Sequence, residues 1–135
     1  MLKNVELYLI TTVAFLAIDF VWLAFVASRF YRSYLGDLMR DPANLPVALA
    51  FYLVYVVGVI VFAVLPGARE GAVTAALWRG ALLGLVAYGT YDLTNLATIK
   101  DWAWQVSAVD LSWGTVVTAA ASGIGFFVAR WLGVQ

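Results

Sequence analysis

Four long apolar stretches alternate with short polar ones along the chain. The apolar stretches cover about residues 5–27, 45–65, 75–99 and 109–130. Each is about twenty residues long or longer, which is the length that an α-helix needs to cross the hydrocarbon of a bilayer. No stretch alternates apolar and polar residues, as the strands of a transmembrane barrel do. The pattern therefore predicts an all-α, polytopic membrane protein, in which four transmembrane helices form a single domain, an up-down bundle.

The first polar connection is predicted to lie at the membrane surface. Between Ser28 and Asn44, arginine and aspartate are interleaved with tyrosine, phenylalanine and leucine. Such an amphipathic segment suits the headgroup region, so we expect an interfacial segment after the first helix. Pro46 suits the first turn of the second helix, where its missing N–H is no loss. Pro66-Gly67 is expected to end that helix.

The first apolar stretch predicts a membrane span rather than a cleaved signal peptide. The residues before it include one lysine, Lys3, whose charge Glu6 offsets. The apolar run is longer than the core of a signal peptide, and it contains Asp19 and Trp22.

The composition leaves too few charged residues to cover a surface that faces water. The chain has 135 residues, of which 64% are hydrophobic and 12% are charged, and its mean hydropathy is +0.93. Soluble domains carry about 25% charged residues, so the bilayer is the expected solvent and the expected partner. Lys plus Arg and Asp plus Glu number eight each, so no net charge attracts nucleic acid. We therefore expect a multi-pass integral membrane protein.

Cysteine and histidine are both absent from the chain. Their absence excludes disulfides, haem ligation by histidine and the common zinc sites, so neither haem nor zinc is expected. Acid–base chemistry would fall to Asp, Glu, Tyr or Lys, and any bound metal would be a hard cation held by oxygen atoms. No metal site is predicted, and the sequence indicates no particular cofactor.

Charge does not decide how the predicted bundle is oriented. Four Lys or Arg residues fall on each side of it, which is a tie under the positive-inside rule. The three arginines of the first connection favour a cytoplasmic location for that connection. Insertion of different copies in both orientations also fits a tie.

Three aspartates interrupt the apolar stretches, all in the same half of the predicted bundle. The rise of an α-helix places Asp19, Asp92 and Asp110 roughly 4, 8 and 13 Å from the midplane, on the side of the first and third connections. Tyr52 and Tyr55 fall at a comparable depth on the second helix. An intramembrane carboxylate is costly unless it is paired, protonated or near water, so it indicates function by default. We interpret this layer as a one-sided carboxylate and tyrosine pocket.

Helical spacing places further aromatic and polar side chains beside these aspartates. In both the first and the fourth helix, a tryptophan follows an aspartate after three residues and shares its face. The third helix carries a stripe of tyrosine, aspartate and asparagine. The predicted ligand-binding residues are Asp19, Trp22, Tyr52, Tyr55, Tyr88, Tyr91, Asp92, Asn95, Asp110 and Trp113. Asp92, Asp19 and Asp110 are also the candidates for catalysis.

Small residues predict which two helices pack most closely. Gly80 and Gly84 lie one helical turn apart on the third helix, in line with the polar stripe. Gly114, Thr118 and Ser122 form a matching row on the fourth helix. Small residues let helix backbones approach each other in a membrane, so we expect close packing between these two rows.

The same motifs resemble those of a known family. The runs Val86–Thr98, Asp110–Thr115 and Asp19–Leu23 are similar to those of small bacterial membrane proteins catalogued as domain of unknown function 2177. The resemblance covers the whole chain and implies a four-helix, multi-pass protein of the bacterial inner (cytoplasmic) membrane, without assigning catalytic or binding residues. Genes of this family often accompany fatty-acyl-modifying enzymes, so the resemblance also favours lipid as the context.

The polar residues have structural interpretations as well. Asp92 can be a hydrogen-bonding hub held by tyrosine and threonine hydroxyls. Asp110 falls at the predicted start of the fourth helix, where a carboxylate caps free N–H groups and suits the helix dipole. Trp22 and Trp113 are residues typical of packing or of the membrane interface.

Three functions fit the pattern. The favoured one is binding or transport of a small molecule, lipid or cation by a homo-oligomer, with the carboxylates as a proton- or cation-coupled site. The second is a membrane enzyme that acts on a lipid or isoprenoid chain with aspartates as acid and base. The third is an accessory or assembly subunit of a larger membrane complex, in which the polar cluster is structural. A cavity at the aspartates would favour the first two.

Overall fold

The protein consists of four long helices and contains no strand. A computed structural model describes all residues, 1–135, with α1 at Leu2–Leu38, α2 at Leu45–Glu70, α3 at Val73–Thr98 and α4 at Trp104–Leu132. Three of these, α1, α2 and α4, are long and apolar enough to cross a membrane. The remaining helix, α3, has 26 residues but is more polar, because it carries the predicted stripe of tyrosine, aspartate and asparagine.

The first helix does not end where the apolar pattern ends. We expected a separate interfacial segment after residue 27, but the residues Ser28–Leu35 extend α1 by two more turns. A π-helical turn at Leu23–Ala27 joins the two parts. The α-helical conformation stops only at Gly36, whose φ is +50°, and a 3-10 turn at Gly36–Leu38 completes α1. No glycine or proline interrupts the chain before Gly36, so the backbone has no reason to leave the helix earlier.

Two other helix ends differ from the predicted ones. Pro66 does not end α2, because it opens an α-helical segment directly after a π-helical turn at Ile60–Val64, and a proline at the start of such a segment costs little. The end comes instead at Gly71, in the left-handed conformation. α4 begins at Trp104, about a turn and a half before the predicted boundary, so Asp110 is not at a helix start. A cap role for its carboxylate is therefore wrong.

The predicted packing of small residues between α3 and α4 is confirmed. A Cβ atom added to Gly80 would collide with Ser122, and one added to Gly84 would collide with the backbone of Gly114. Gly114 in turn lies directly beneath the ring of Tyr88. The two helices therefore touch backbone to backbone along their length, and this pair forms the most extensive contact in the molecule.

Helices α2 and α3 pack against each other at one end and separate at the other. At the connecting turn, Gly67 packs against the backbone of Ala76, and Arg79 forms a 2.7 Å ion pair with Glu70. The first half of α2 instead packs on α1 and α4, around Val56 in the core. The splay leaves a groove between α2 and α3, at the end where the three aspartates lie.

We expect the substitution Gly114→Ala to lower the free energy of unfolding by about 1–3 kcal/mol, because the added methyl group must displace the Tyr88 ring. Equilibrium unfolding by sodium dodecyl sulfate in mixed micelles measures this change. Gly58→Ala is the matched control, since its Cβ would meet only the Phe62 side chain at 3.9 Å. Equal stability of the two variants would contradict the packing argument.

Candidate ligand-binding site

Asp19 ties three helices together through two hydrogen bonds. Its side chain, on α1, is 4% exposed. The Tyr52 hydroxyl on α2 donates to one carboxylate oxygen at 2.5 Å, and Trp113 Nε1 on α4 donates to the other at 2.9 Å. Two donors to a carboxylate stabilise its charged form and offset part of the cost of burial. Asp19 is therefore satisfied within the protein and holds the Tyr52 ring in place.

The two tryptophans that follow these aspartates pack against each other. The rings of Trp22 and Trp113 are stacked, with centroids 4.4 Å apart and planes inclined by 6°. Trp113 uses its N–H on Asp19, whereas the buried Trp22 Nε1 has no hydrogen-bond partner. Their predicted role in ligand binding receives no direct support from this geometry, because neither ring lines the two clefts that lie near the aspartates.

Asp110 is held by a tyrosine from the extension of α1. The Tyr31 hydroxyl donates to Asp110 Oδ1 at 2.6 Å. The π-helical turn at Leu23–Ala27 explains how Tyr31 reaches the bundle. Such a turn absorbs one extra residue, so Tyr31 lies effectively about eleven α-helical positions beyond Asp19, or close to three whole turns. The turn thus brings Tyr31 back to the face that carries Asp19.

Asp92 is completely buried and receives no hydrogen bond on its side chain. The residue is 0% exposed, and neither carboxyl oxygen has an N–H or O–H donor in the protein. Nearby donors serve its backbone instead, because Ser107 Oγ donates to the Asp92 carbonyl at 2.8 Å and accepts from Trp102 Nε1. Asp110 follows Ser107 by three residues on α4, so it lies on the face of α4 that meets Asp92. The two carboxyl groups are therefore neighbours, and a hydrogen bond between them requires a proton on one of the two.

The groove between α2 and α3 forms a cleft of about 600 Å³, which we call the lateral cleft. Aromatic rings from both helices make up most of its wall, and the Asp110 side chain from α4 contributes a carboxyl group. The Tyr88 side chain from α3 lines the same cleft, opposite Tyr52 of α2. The lining residues are Phe51, Tyr52, Ala87, Tyr88, Thr90, Tyr91 and Asp110.

A second cleft of about 520 Å³ lies beneath the extension of α1, and we call it the loop cleft. Its walls come from that extension, the loop before α2 and the start of α4. Arg40 and Asn44 give it a polar rim, and Trp102 packs edge-on against Tyr91 at 5.9 Å between ring centroids. Tyr91 and Asp110 line both clefts, so they form the partition between the lateral cleft and the loop cleft.

The structure separates the predicted site residues that line the lateral cleft from those that do not. Asp19, Trp22 and Trp113 form the buried hub on α1 and α4, and Tyr55 bonds to Thr118 at 2.9 Å below it. Asp92 lies behind the cleft wall, next to Asp110. Asn95 lines neither cleft. The residues that line the lateral cleft are Tyr52, Tyr88, Tyr91 and Asp110. No group of three acidic residues converges as a metal site would require.

Several residues of the site were not predicted from the sequence. Tyr31 was placed in the headgroup region, because nothing in the apolar pattern reveals the π-helical turn that reorients it. Phe51 and Thr90 are ordinary residues of apolar or weakly polar helix faces. Trp102 precedes α4, and its spacing of five residues from Ser107 allows the hydrogen bond that it forms across the start of that helix.

Comparison with protein families identifies one match. The model of the DUF2177 family, described as a predicted membrane protein, matches residues 4–127. The chain belongs to this family. No curated protein and no solved structure matches it. This match confirms the family resemblance that the sequence motifs indicated. It establishes a membrane protein and assigns no activity to the cleft.

We expect Asp19 and Tyr52 of this DUF2177 protein to be energetically coupled. The double-mutant cycle of Asp19→Ala and Tyr52→Phe should give a coupling energy of about 0.5–3 kcal/mol, because each substitution removes one partner of the same buried hydrogen bond. Equilibrium unfolding in mixed micelles measures all four proteins. Tyr55→Phe serves as the matched control, since Tyr55 bonds to Thr118 instead. Additive effects of Asp19→Ala and Tyr52→Phe would refute the predicted hub.

Proposed function

We propose that the protein binds a membrane-soluble cation, with a positively charged head and an apolar body, in the lateral cleft. One observation carries this proposal. A single carboxyl group, that of Asp110, lies in a cleft whose other walls are mainly aromatic rings and which no lysine or arginine lines. The cleft therefore offers a negative partner that is not already neutralised by the protein.

The chemistry of the walls favours a cation over a neutral or anionic head. Phe51, Tyr52, Tyr88 and Tyr91 surround the cleft, and the faces of such rings attract cations. A carboxylate adds a direct ion pair, which is stronger in an environment of low dielectric constant than in water. An anionic head would meet the Asp110 carboxylate and the electron-rich ring faces, so both features select against it.

Size and position suit a ligand that arrives from the bilayer. A volume of about 600 Å³ lies within the range of cavities that hold drug-sized molecules. The cleft lies where α2 and α3 separate. Both helices carry exposed apolar side chains, such as Val54 on α2 and Val86 on α3. An apolar body can therefore enter sideways from lipid while the charged head reaches Asp110.

The arrangement of the acids favours binding over acid–base catalysis on a lipid. A general acid and a general base must both reach the reacting groups of a substrate. Asp110 alone lines the clefts, because Asp92 is fully buried and Asp19 is engaged by two donors. An accessory subunit whose polar cluster is purely structural would not require an open cleft at Asp110.

The proposed setting is the bacterial inner membrane, crossed four times in an up-down arrangement. α3 would be the fourth span in addition to the three apolar helices. Its 26 residues measure roughly 39 Å, which exceeds the hydrocarbon thickness of about 30 Å. Of its polar residues, Asp92 is buried, and Tyr88 and Tyr91 line the lateral cleft. The hydroxyls of Thr90, Thr94 and Thr98 donate to backbone carbonyls of α3 itself, which satisfies them without water. Transport by a homo-oligomer would extend the same binding step.

We expect the purified protein in lipid nanodiscs to bind dodecyltrimethylammonium more tightly than dodecyl sulfate or dodecanol. The substitution Asp110→Asn should weaken binding of the cation at least about tenfold, or about 1.4 kcal/mol, because it removes the negative charge that attracts the trimethylammonium head. Isothermal titration calorimetry measures the affinities.

Glu70→Gln is the matched control, since it removes one carboxylate at the opposite end of the α2–α3 pair. Its affinity for the cation should equal that of the unmodified protein. Equal binding of all three dodecyl probes, or an undiminished affinity of Asp110→Asn, would contradict the proposed cation site.

A further inference from the structure

The buried carboxyl group of Asp92 raises a question that the cation site does not answer. An ionised carboxylate that is fully removed from solvent and has no hydrogen-bond donor costs several kcal/mol. Asp92 meets both conditions, since it is 0% exposed and both of its oxygens lack an N–H or O–H partner. The protein places no positive side chain against it, because its ion pairs join Arg32 to Asp41 and Arg79 to Glu70.

The neighbouring groups decide which of the two adjacent carboxyls carries a proton. Asp110 already accepts a 2.6 Å hydrogen bond from Tyr31, which stabilises its charged form. Asp92 accepts none. A proton on Asp92 converts it into a donor toward Asp110 and satisfies both side chains at once. Two ionised carboxylates this close together would instead repel each other in a medium of low dielectric constant.

We propose that Asp92 and Asp110 form a buried proton-binding site, in which a proton on Asp92 is donated to Asp110 and competes with a cation in the lateral cleft. Asp92 does not line the lateral cleft, so it is a positioning residue that influences a bound cation through Asp110. The coupling between proton and cation rests on the proposed function, whereas the proton site itself does not.

The groups around the pair leave the proton as its only counter-charge. The titratable and charged side chains that face this region are Asp19, Tyr31, Arg40, Tyr52, Tyr88 and Tyr91. The tyrosines are neutral donors near neutral pH. Arg40 lines the loop cleft with Asp110 but forms no ion pair with it.

Infrared spectroscopy of the empty protein in lipid nanodiscs tests the proton site without any ligand. At neutral pH we expect the C=O stretching band of one protonated carboxyl group, absent from Asp92→Asn and unchanged in the control Asp37→Asn, whose carboxylate is exposed. Asp92→Glu, which keeps a carboxyl group, should move the band rather than remove it. Absence of the band at neutral pH, or its persistence unchanged in the Asp92 variants, overturns the proton site.

The pH dependence of cation binding tests the competition. A cation at Asp110 and a proton on Asp92 repel each other, and linkage requires each to weaken the other by the same factor. Dodecyltrimethylammonium should therefore shift the loss of the infrared band to lower pH, and its affinity should rise as pH rises through that interval. In Asp92→Asn the affinity should stay constant across the same interval.

The possible failures are distinguishable from one another. A band that responds to Asp92 in a protein that binds no dodecyltrimethylammonium supports the proton site and refutes the cation site. If dodecyltrimethylammonium binds with the same affinity above and below the pH interval in which the infrared band is lost, only the competition between proton and cation is refuted.

Discussion

A carboxylate surrounded by apolar side chains must find a hydrogen-bond donor, a proton or water, and this requirement organises the open end of the bundle. Asp19 is satisfied by Tyr52 and Trp113, which come from two other helices. Asp110 is satisfied in part by Tyr31. The bond from Tyr52 joins α2 to α1, and the bonds from Trp113 and Tyr31 join α1 to α4. The loss of any of these bonds would leave a buried carboxylate without one of its partners. The hydrogen bonds therefore determine where the helices meet, and the cleft is the space that they leave.

The two halves of the bundle hold together by different physical means. Near the α2–α3 connection, small residues such as Gly67 allow backbones to touch, and dispersion forces between packed atoms suffice. Near the aspartates, large aromatic side chains keep α2 and α3 apart, and hydrogen bonds replace backbone contact. Because α2 and α3 pack together at one end and separate at the other, the groove between them is open to lipid. Its carboxyl group, that of Asp110, comes from α4 and accepts a hydrogen bond from Tyr31 of α1.

Much of this organisation was predictable because the bilayer strongly restricts which sequences can form it. Long apolar runs and the low charge content predicted helices, and small residues at intervals of four predicted the α3–α4 contact that the structure confirms. The predicted helix ends were less accurate. Hydropathy indicates which part of a helix is apolar. The end of the helix depends instead on the backbone conformation, which glycine and proline influence most. For this reason α1 runs on to Gly36 and α2 passes Pro66.

The sequence by itself determined the kind of molecule, its family and the set of unusual acids, because the cost of an intramembrane charge is readable from composition and spacing alone. Only the tertiary structure separated the roles of those acids. Asp19 proved to be satisfied, Asp110 to line the clefts and Asp92 to be buried without a donor. Those differences depend on partners distant in sequence, such as Tyr31, which is 79 residues from Asp110. A π-helical turn that leaves no mark on the hydropathy pattern brings that tyrosine into place.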